Sequence, residues 1–237
     1  MTATAPEATA LEVWGDPIGH SLSPAMHTAA YALLGWEWTY GRRRVDEASF
    51  AGELAALGAD HRGLSLTMPL KRAAFDVASE RDVRATLVGA ANTLVRMPAG
   101  WRAFNTDAGG IVAALREQGV EAVDRARIVG AGATASAALV ALSELGVRDV
   151  EVAARRPEAV QGLVDLGERL GVRVVAAPLA GERTDAVDAT IATLPGGVSV
   201  DAGAADALAA AGGVLMDVVY GHWPTDLSRA WDRAGRP

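Results

Sequence analysis

The 237-residue chain is half hydrophobic and 22% charged, with a net charge of −7, which suits one large or two small globular domains and excludes fibrous and disordered classes. Its basic residues are scattered except at Arg42-Arg43-Arg44 and Arg155-Arg156, so it lacks the continuous basic face of a nucleic-acid binder while keeping the means for a small anion pocket. Cysteine is absent and the four histidines, His20, His27, His61 and His222, show no metal-ligand spacing, which excludes disulfides, a thiolate zinc site and a cysteine nucleophile, and no metal is expected.

In chain order, the residues up to Ala10 are small and polar, with no basic region leading into an apolar run, so no signal peptide is visible. No later stretch approaches the ~20 apolar residues of a membrane span, and a soluble cytoplasmic protein with no membrane partner is expected. Leu11 to Trp14 reads as a strand. Ser21-Leu22-Ser23-Pro24 then stands between the loop Gly15 to Gly19 and a helix from Ala25 to Leu34. Its two hydroxyls suit N-caps, and equally a carboxylate held at a helix start. Trp38-Thr39-Tyr40 opens a second strand, Glu47 to Leu57 reads as helical, and Gly63 to Leu66 as a third strand. Thr67-Met68-Pro69-Leu70-Lys71 follows that strand's end, where α/β sheets bind ligands, and leads into a helix; a lysine there also suits an ordinary helix surface. Ala91 to Val95, which includes Asn92-Thr93, begins a strand pair with its turn at Pro98-Ala99-Gly100. Asn105-Thr106-Asp107 precedes a helix from Ile111 to Gln118, with Asp107 placed as N-cap or first-turn residue.

After Gly119 a second α/β series starts, which puts a domain boundary near Asp107. Its first strand, Arg127 to Val129, runs into Gly130-Ala131-Gly132-Ala133-Thr134-Ala135 and a helix from Ala133 to Leu145. The glycines permit a tight turn and close backbone approach, and the helix start offers N–H groups to a pyrophosphate; the same residues also suit an ordinary strand–helix turn. The next strand, Val150 to Ala153, ends at Arg155-Arg156, with Glu151 inside the strand and Glu158 beyond Pro157. NAD sites usually place an acid at this strand end for the ribose 2′-OH. Two guanidiniums suit a 2′-phosphate instead and point to NADP, although an arginine pair also suits a solvated surface. Further strands are expected at Arg173 to Val175, Ala189 to Ala192 and Val214 to Val218. Alternating strands and helices predict an α/β fold with mostly parallel sheets.

Ser-Leu-Ser-Pro, Thr-x-Pro-x-Lys, Gly89-Ala90-Ala91-Asn92-Thr93-Leu94, Asn-Thr-Asp, the glycine turn and Asp217-Val218-Val219-Tyr220 occur in this order at suitable distances. Together, from about Val13 to Thr225, they resemble the shikimate dehydrogenase family, and the wording Gly-Leu-Ser-Leu-Thr-Met-Pro-Leu-Lys is similar to its actinobacterial branch. The resemblance implies an N-terminal α/β substrate domain over residues 1–107, a Rossmann-type dinucleotide-binding domain over 108–237, and a cleft between them. It implies NADPH-dependent reduction of 3-dehydroshikimate to shikimate by a monomer or homodimer. Carried over residue by residue, Lys71 and Asp107 are the catalytic pair. Ser21 and Ser23 hold the substrate carboxylate, Thr67 and Asn92 its ring hydroxyls, and Tyr220 matches a further substrate contact. Gly130, Ala131, Gly132, Ala133 and Thr134 match the diphosphate loop, Arg155 and Arg156 the 2′-phosphate end, and Thr193 and Val218 further cofactor-contacting positions. Hydride addition to a ketone builds negative charge on oxygen, which a lysine ammonium stabilises and protonates.

The sequence departs from the family at Ser65, where an Asn is common, and at Ala154 and Arg156, which flank the family arginine. It departs again at Thr193-Leu194-Pro195, where many members have Asn-Ala-Thr-Ser. Members also continue past Trp231-Asp232-Arg233 with a Gly-rich turn and helices, which carry a nicotinamide-contacting Gly and a substrate-contacting Gln and pack back on the first domain. This sequence ends at Pro237, so a fragment or a truncated paralogue is expected. The alternatives are a quinate or aminoshikimate dehydrogenase on the same frame, and, from another class, a non-catalytic NADP-binding or regulatory paralogue. A dehydrogenase of the methylenetetrahydrofolate type is disfavoured by the paired serines and Asn-Thr-Asp.

Overall fold

The computed structural model describes residues 9–181 and 185–237; most of the stretch read above for a signal peptide lies outside them. The chain divides into two compact units, Met1–Thr106 and Asp107–Pro237.

The first unit runs β1 (Ala10–Gly15), α1 (Ser23–Leu34), β2 (Thr39–Arg44), α2 (Phe50–Ala55), β3 (His61–Leu66), α3 (Lys71–Val77), β4 (Glu80–Arg81), α4 (Val83–Val88), β5 (Thr93–Met97) and β6 (Gly100–Phe104). Its sheet has the order β2-β1-β3-β5-β6-β4. The strands β2, β1 and β3 are parallel, while β5 runs antiparallel to both β3 and β6. The register sets Trp14 beside Leu66, Ser65 beside Thr93, and Thr93 beside Phe104. The C-terminal ends of β1, β3 and β6 and the start of β5 therefore share one edge of the sheet. The chain leaves β1 for β2 on one side and returns to β3 on the other, and that reversal opens a crevice beyond the ends of β1 and β3.

Alternation divides the strands between two faces. Trp14, Leu64, Leu66 and Leu94 pack with Phe50, Leu54, Leu70 and Ala74 on one of them. Val13 and Tyr40 pack with Ile18 and Tyr31 on the face covered by α1. The helix α1 starts with Pro24 in its first turn, where a missing N–H costs nothing, and stops at Gly35, whose left-handed φ of 67° suits a residue without Cβ.

The second unit runs α5 (Asp107–Glu117), β7 (Arg125–Val129), α6 (Ala133–Glu144), β8 (Asp149–Ala154), α7 (Gln161–Leu170), β9 (Arg173–Pro178), β10 (Ala189–Ala192), α8 (Ala202–Ala210), β11 (Val214–Asp217) and α9 (Asp226–Arg233). Its sheet, β11-β10-β7-β8-β9, is parallel throughout. All four residues of β10 are buried, as expected of a parallel strand covered on both faces. The order reverses between β7 and β10, which places this unit's crevice beyond Val129 and Ala192. Within β7, Arg127 is fully buried. Its Nε donates to Glu151 at 2.8 Å, and its other nitrogens reach the carbonyls of Leu208, Ala211 and Asp185. Glu151 is thereby committed to an ion pair inside the sheet.

The strands expected from the sequence are present, with ends shifted by a few residues. Helices α4, α7, α8 and α9 and the two-residue β4 were not among the expected elements. The starts of α4, α8 and α9 carry legible signals nonetheless: Asp82 accepts from the Ala85 N–H at 2.6 Å, Asp201 from Ala204 at 3.1 Å, and Thr225 from Ser228 at 3.0 Å.

Candidate active site

At the end of β1 the chain makes close contact with the turn after β3. A Cβ on Gly15 would collide with the Thr67 side chain and stand 2.9 Å from the Met68 carbonyl. The Thr67 N–H donates to the Trp14 carbonyl at 2.9 Å, and the Asp16 N–H to the Met68 carbonyl at 3.0 Å. These bonds dock Thr67 beside the loop that carries the serines. Ser21 is buried, and its Oγ accepts the Ser23 N–H at 3.3 Å. The N-cap position of α1 is Leu22, with no side-chain cap; Ser21, one residue before it, takes the N–H of the helix's first residue instead. The strand β2 holds the same loop from outside. Arg44 makes a two-pronged bond to Asp16 at 2.9 and 3.1 Å, and Arg42 donates to the Gly19 carbonyl at 2.6 Å.

Lys71 opens α3, and its carbonyl accepts the Ala91 N–H at 2.9 Å, which brings Lys71 and Asn92 to neighbouring backbone positions. Asn92 ties three strand ends together. Its carbonyl accepts from Leu66 at 2.7 Å and its N–H donates to Phe104 at 3.1 Å. Its Nδ2 donates to Thr106 Oγ1 at 2.9 Å, and its Oδ1 accepts from the Thr106 N–H at 3.0 Å and from Thr93 at 3.0 Å. Asn105 is buried and donates to the Ala90 carbonyl at 3.1 Å, so it serves the 90–92 loop. Asp107 is the first residue of α5, where the helix dipole favours a carboxylate.

Sequence reasoning missed Tyr40. Its buried hydroxyl donates to Ser65 Oγ at 2.6 Å, and its ring stacks on His27 at 4.0 Å and 11°. Burial pushes the Tyr40 phenol above its ordinary value, Tyr31 adds to the rise, and the Ser65 and Ser23 hydroxyls oppose it. The signal was the alternation of β2, which points Tyr40 at the α1 side of the sheet. Its partner lies 25 residues away, beyond local pattern.

In the second unit, Gly130 sits at φ 113° with its N–H on the Ala153 carbonyl at 2.9 Å. A Cβ there would stand 2.7 Å from Thr193 Oγ1, so the turn closes tightly on Thr193. The Thr193 N–H and hydroxyl both donate to the Val129 carbonyl, at 2.9 and 3.1 Å. Gly132 caps α6 without a side chain and has open space where a Cβ would be. The N–H groups that open α6, at Ala133 and Thr134, lack intrahelical partners, and the turn can hold a diphosphate. Arg155 and Arg156 follow β8 and are exposed, and their side chains make no hydrogen bond or ion pair with any described residue. Val218 donates its N–H to the Ala192 carbonyl at 3.1 Å and lies beside Thr193's strand end; Tyr220 is 58% exposed. Past Thr193 lies a cavity of about 230 Å³, lined by Leu194, Val200, Asp217, His222, Asp226 and Arg229 among others. Bonds from the Val200 N–H, Arg229 and Ser199 lower the Asp226 pKa from 3.8 to about 2.

Residues 13–94 match the family model of the shikimate dehydrogenase substrate binding domain. The chain is 39% identical over 236 residues to the NADP(+) shikimate dehydrogenase of Anaeromyxobacter sp. (strain K), covering 94% of this chain and 81% of that one. The chain belongs to the shikimate dehydrogenase family. A solved family structure, that of Mycobacterium tuberculosis shikimate dehydrogenase, superposes with a TM-score of 0.83 at 43% identity, covering 96% of this chain and 85% of that one. The Thermus thermophilus enzyme, solved in complex with NADP(H) and shikimate, gives a TM-score of 0.81 at 30% identity, with 96% and 85% covered. No described helix is long and apolar enough to cross a membrane, and no described group of His, Cys, Asp and Glu side chains forms a metal cluster.

Proposed function

We propose that this chain catalyses the reversible, NADP-dependent reduction of 3-dehydroshikimate to shikimate, with substrate held by the first unit and cofactor by the second. The observation that carries this reading is the gathering of Ser21, Ser23, Thr67, Lys71 and Asn92 along one edge of one sheet, in a chain whose relatives are NADP(+) shikimate dehydrogenases. Ser21 and Ser23, on a loop stapled by Arg42 and Arg44, receive the carboxylate. Thr67 and Asn92 receive ring hydroxyls. The Lys71 ammonium stands at the carbonyl oxygen, stabilises the charge that grows there and delivers the proton. Asp107, at the start of α5, is the second member of the proton-transfer pair.

The second unit fits NADP. The turn Gly130-Ala131-Gly132-Ala133-Thr134 offers backbone donors at a helix start to the diphosphate. Arg155 and Arg156 supply positive charge that no described side chain neutralises for the 2′-phosphate, while the nearest strand acid, Glu151, is held by Arg127. Thr193 and Val218 border the nicotinamide end. When bound, NADPH supplies the hydride.

The test is NADPH formation by the purified chain given NADP⁺ with shikimate and, in parallel, quinate. Turnover of shikimate is expected. Turnover of quinate alone would move the assignment to a quinate dehydrogenase, and NADP binding with no turnover of either would leave the non-catalytic reading.

A further inference from the structure

The substrate edge contains two hydroxyls, those of Tyr40 and Ser65, that the roles above leave unused, beside Ser23 and Thr67, which they use. Tyr40 in β2 and Ser65 in β3 stand on the α1 face of the sheet, and the Ser23 side chain reaches the same phenol from the start of α1. The Tyr40 ring is clamped between that sheet and α1: His27 stacks on it, and His27 Nδ1–H donates to the Ser23 carbonyl at 2.9 Å. A phenol has one proton to give. The Tyr40 hydroxyl stands 2.6 Å from Ser65 Oγ and donates to it. Thr67 follows the end of β3 and packs its side chain against Gly15 at the end of β1, so a further hydroxyl residue stands next in the chain direction, at the crevice.

We infer that Tyr40 is a positioning residue for substrate binding: by donating to Ser65 and meeting Ser23, it fixes the rotors of the hydroxyls that receive the polar end of the substrate. The inference rests on the functional reading above, with shikimate as ligand. Pre-set donors bind without the cost of ordering them afterwards. Tyr40 thus acts on the stability of the bound substrate, and the hydride-transfer step lies outside its reach.

The test compares the unaltered chain with Tyr40→Phe, Ser65→Ala and their combination, by shikimate KM, kcat and calorimetric titration. Tyr40→Phe keeps the ring, its burial and the stack on His27, and removes one oxygen. Loss of one neutral hydrogen bond corresponds to roughly a three- to ten-fold weaker fit, so KM for shikimate is expected to rise by about that factor, with kcat and NADP⁺ affinity changed by less than about two-fold. Ser65→Ala is expected to reproduce the rise and Ser65→Thr, which restores a hydroxyl, to reverse most of it. The double variant is expected to be no worse than either single one, because the two residues act in series. A parental KM in Tyr40→Phe or in Ser65→Ala, or additive effects in the double variant, overturns the inference. Failure of the unaltered chain to bind shikimate at all is a different result: it removes the functional reading, and this inference with it.

Discussion

Lys71 carries the largest single-residue prediction. It opens α3, and its carbonyl is fixed to the Ala91 N–H at 2.9 Å, so its backbone stays in place when the side chain is cut back. An ammonium that matters when charge develops on oxygen affects kcat more than KM. Lys71→Ala is therefore expected to lower kcat by about 10²–10⁴-fold with a small change in KM, read by steady-state kinetics of NADP⁺ reduction. A near-parental kcat would return Lys71 to an ordinary helix-start lysine. At this scale the short motifs were the legible part: the structure brings Ser21, Ser23, Thr67, Lys71 and Asn92, read from them, to one end of the first sheet. It was least legible where a role depends on a distant partner. Asn105 reads locally as a cap for the next helix, yet its amide serves Ala90. Tyr40 reads as a strand aromatic until Ser65 is seen beside it.

Elements repeat that division. The strands were readable because short apolar runs are bounded by Gly, Pro and Asn. The helices α7 and α8 follow the same alternation, but α8 is built almost wholly of alanine, glycine and leucine and shows little periodicity. Helix α9 opens with a cap-and-acid pair, Thr225-Asp226, and Asp226 does more than favour the helix dipole. Its Oδ2 accepts from the Val200 N–H at 2.9 Å and Ser199 Oγ at 3.0 Å, and its Oδ1 from Arg229 at 2.7 Å. It thereby ties the segment bordering the cavity to α9. With a folded pKa of about 2 against an ordinary 3.8, the ionised carboxylate contributes stability that is fully present above about pH 4 and is lost as pH falls toward 2. Asp226→Asn is expected to lower Tm slightly near neutrality, with the gap between variant and parent closing as melts are taken below pH 4. A gap that stays constant down to pH 3 would mean that Asp226 acts through shape alone. The side chain lies near the surface, so the effect is small.

For the whole molecule, the division between Thr106 and Asp107 comes with no Pro- or Ser-rich linker to mark it. What marks it is the strand–helix alternation starting again after Gly119. Each unit has its own sheet and its own reversal of strand order, beyond β1 and β3 in the first and beyond β7 and β10 in the second. The groups assigned to substrate, Tyr220 aside, lie between Ser21 and Asp107, and those assigned to cofactor between Gly130 and Val218. Two ligands held by two sheets leave separate footprints in hydrogen exchange, because a ligand stabilises most the local structure it touches. NADP⁺ is expected to slow amide exchange over residues 129–136, 154–157 and 191–194. Shikimate is expected to slow it over 21–27, 64–71 and 90–93. At about one hundred times Kd a ligand stabilises what it binds by roughly 2.7 kcal/mol, which slows exchange through the opened state by about a hundred-fold and is easily measured. Protection of residues 129–136 by shikimate alone would contradict the assignment of substrate to the first sheet. Protection of 21–27 by NADP⁺ alone would contradict the placing of the cofactor on the second.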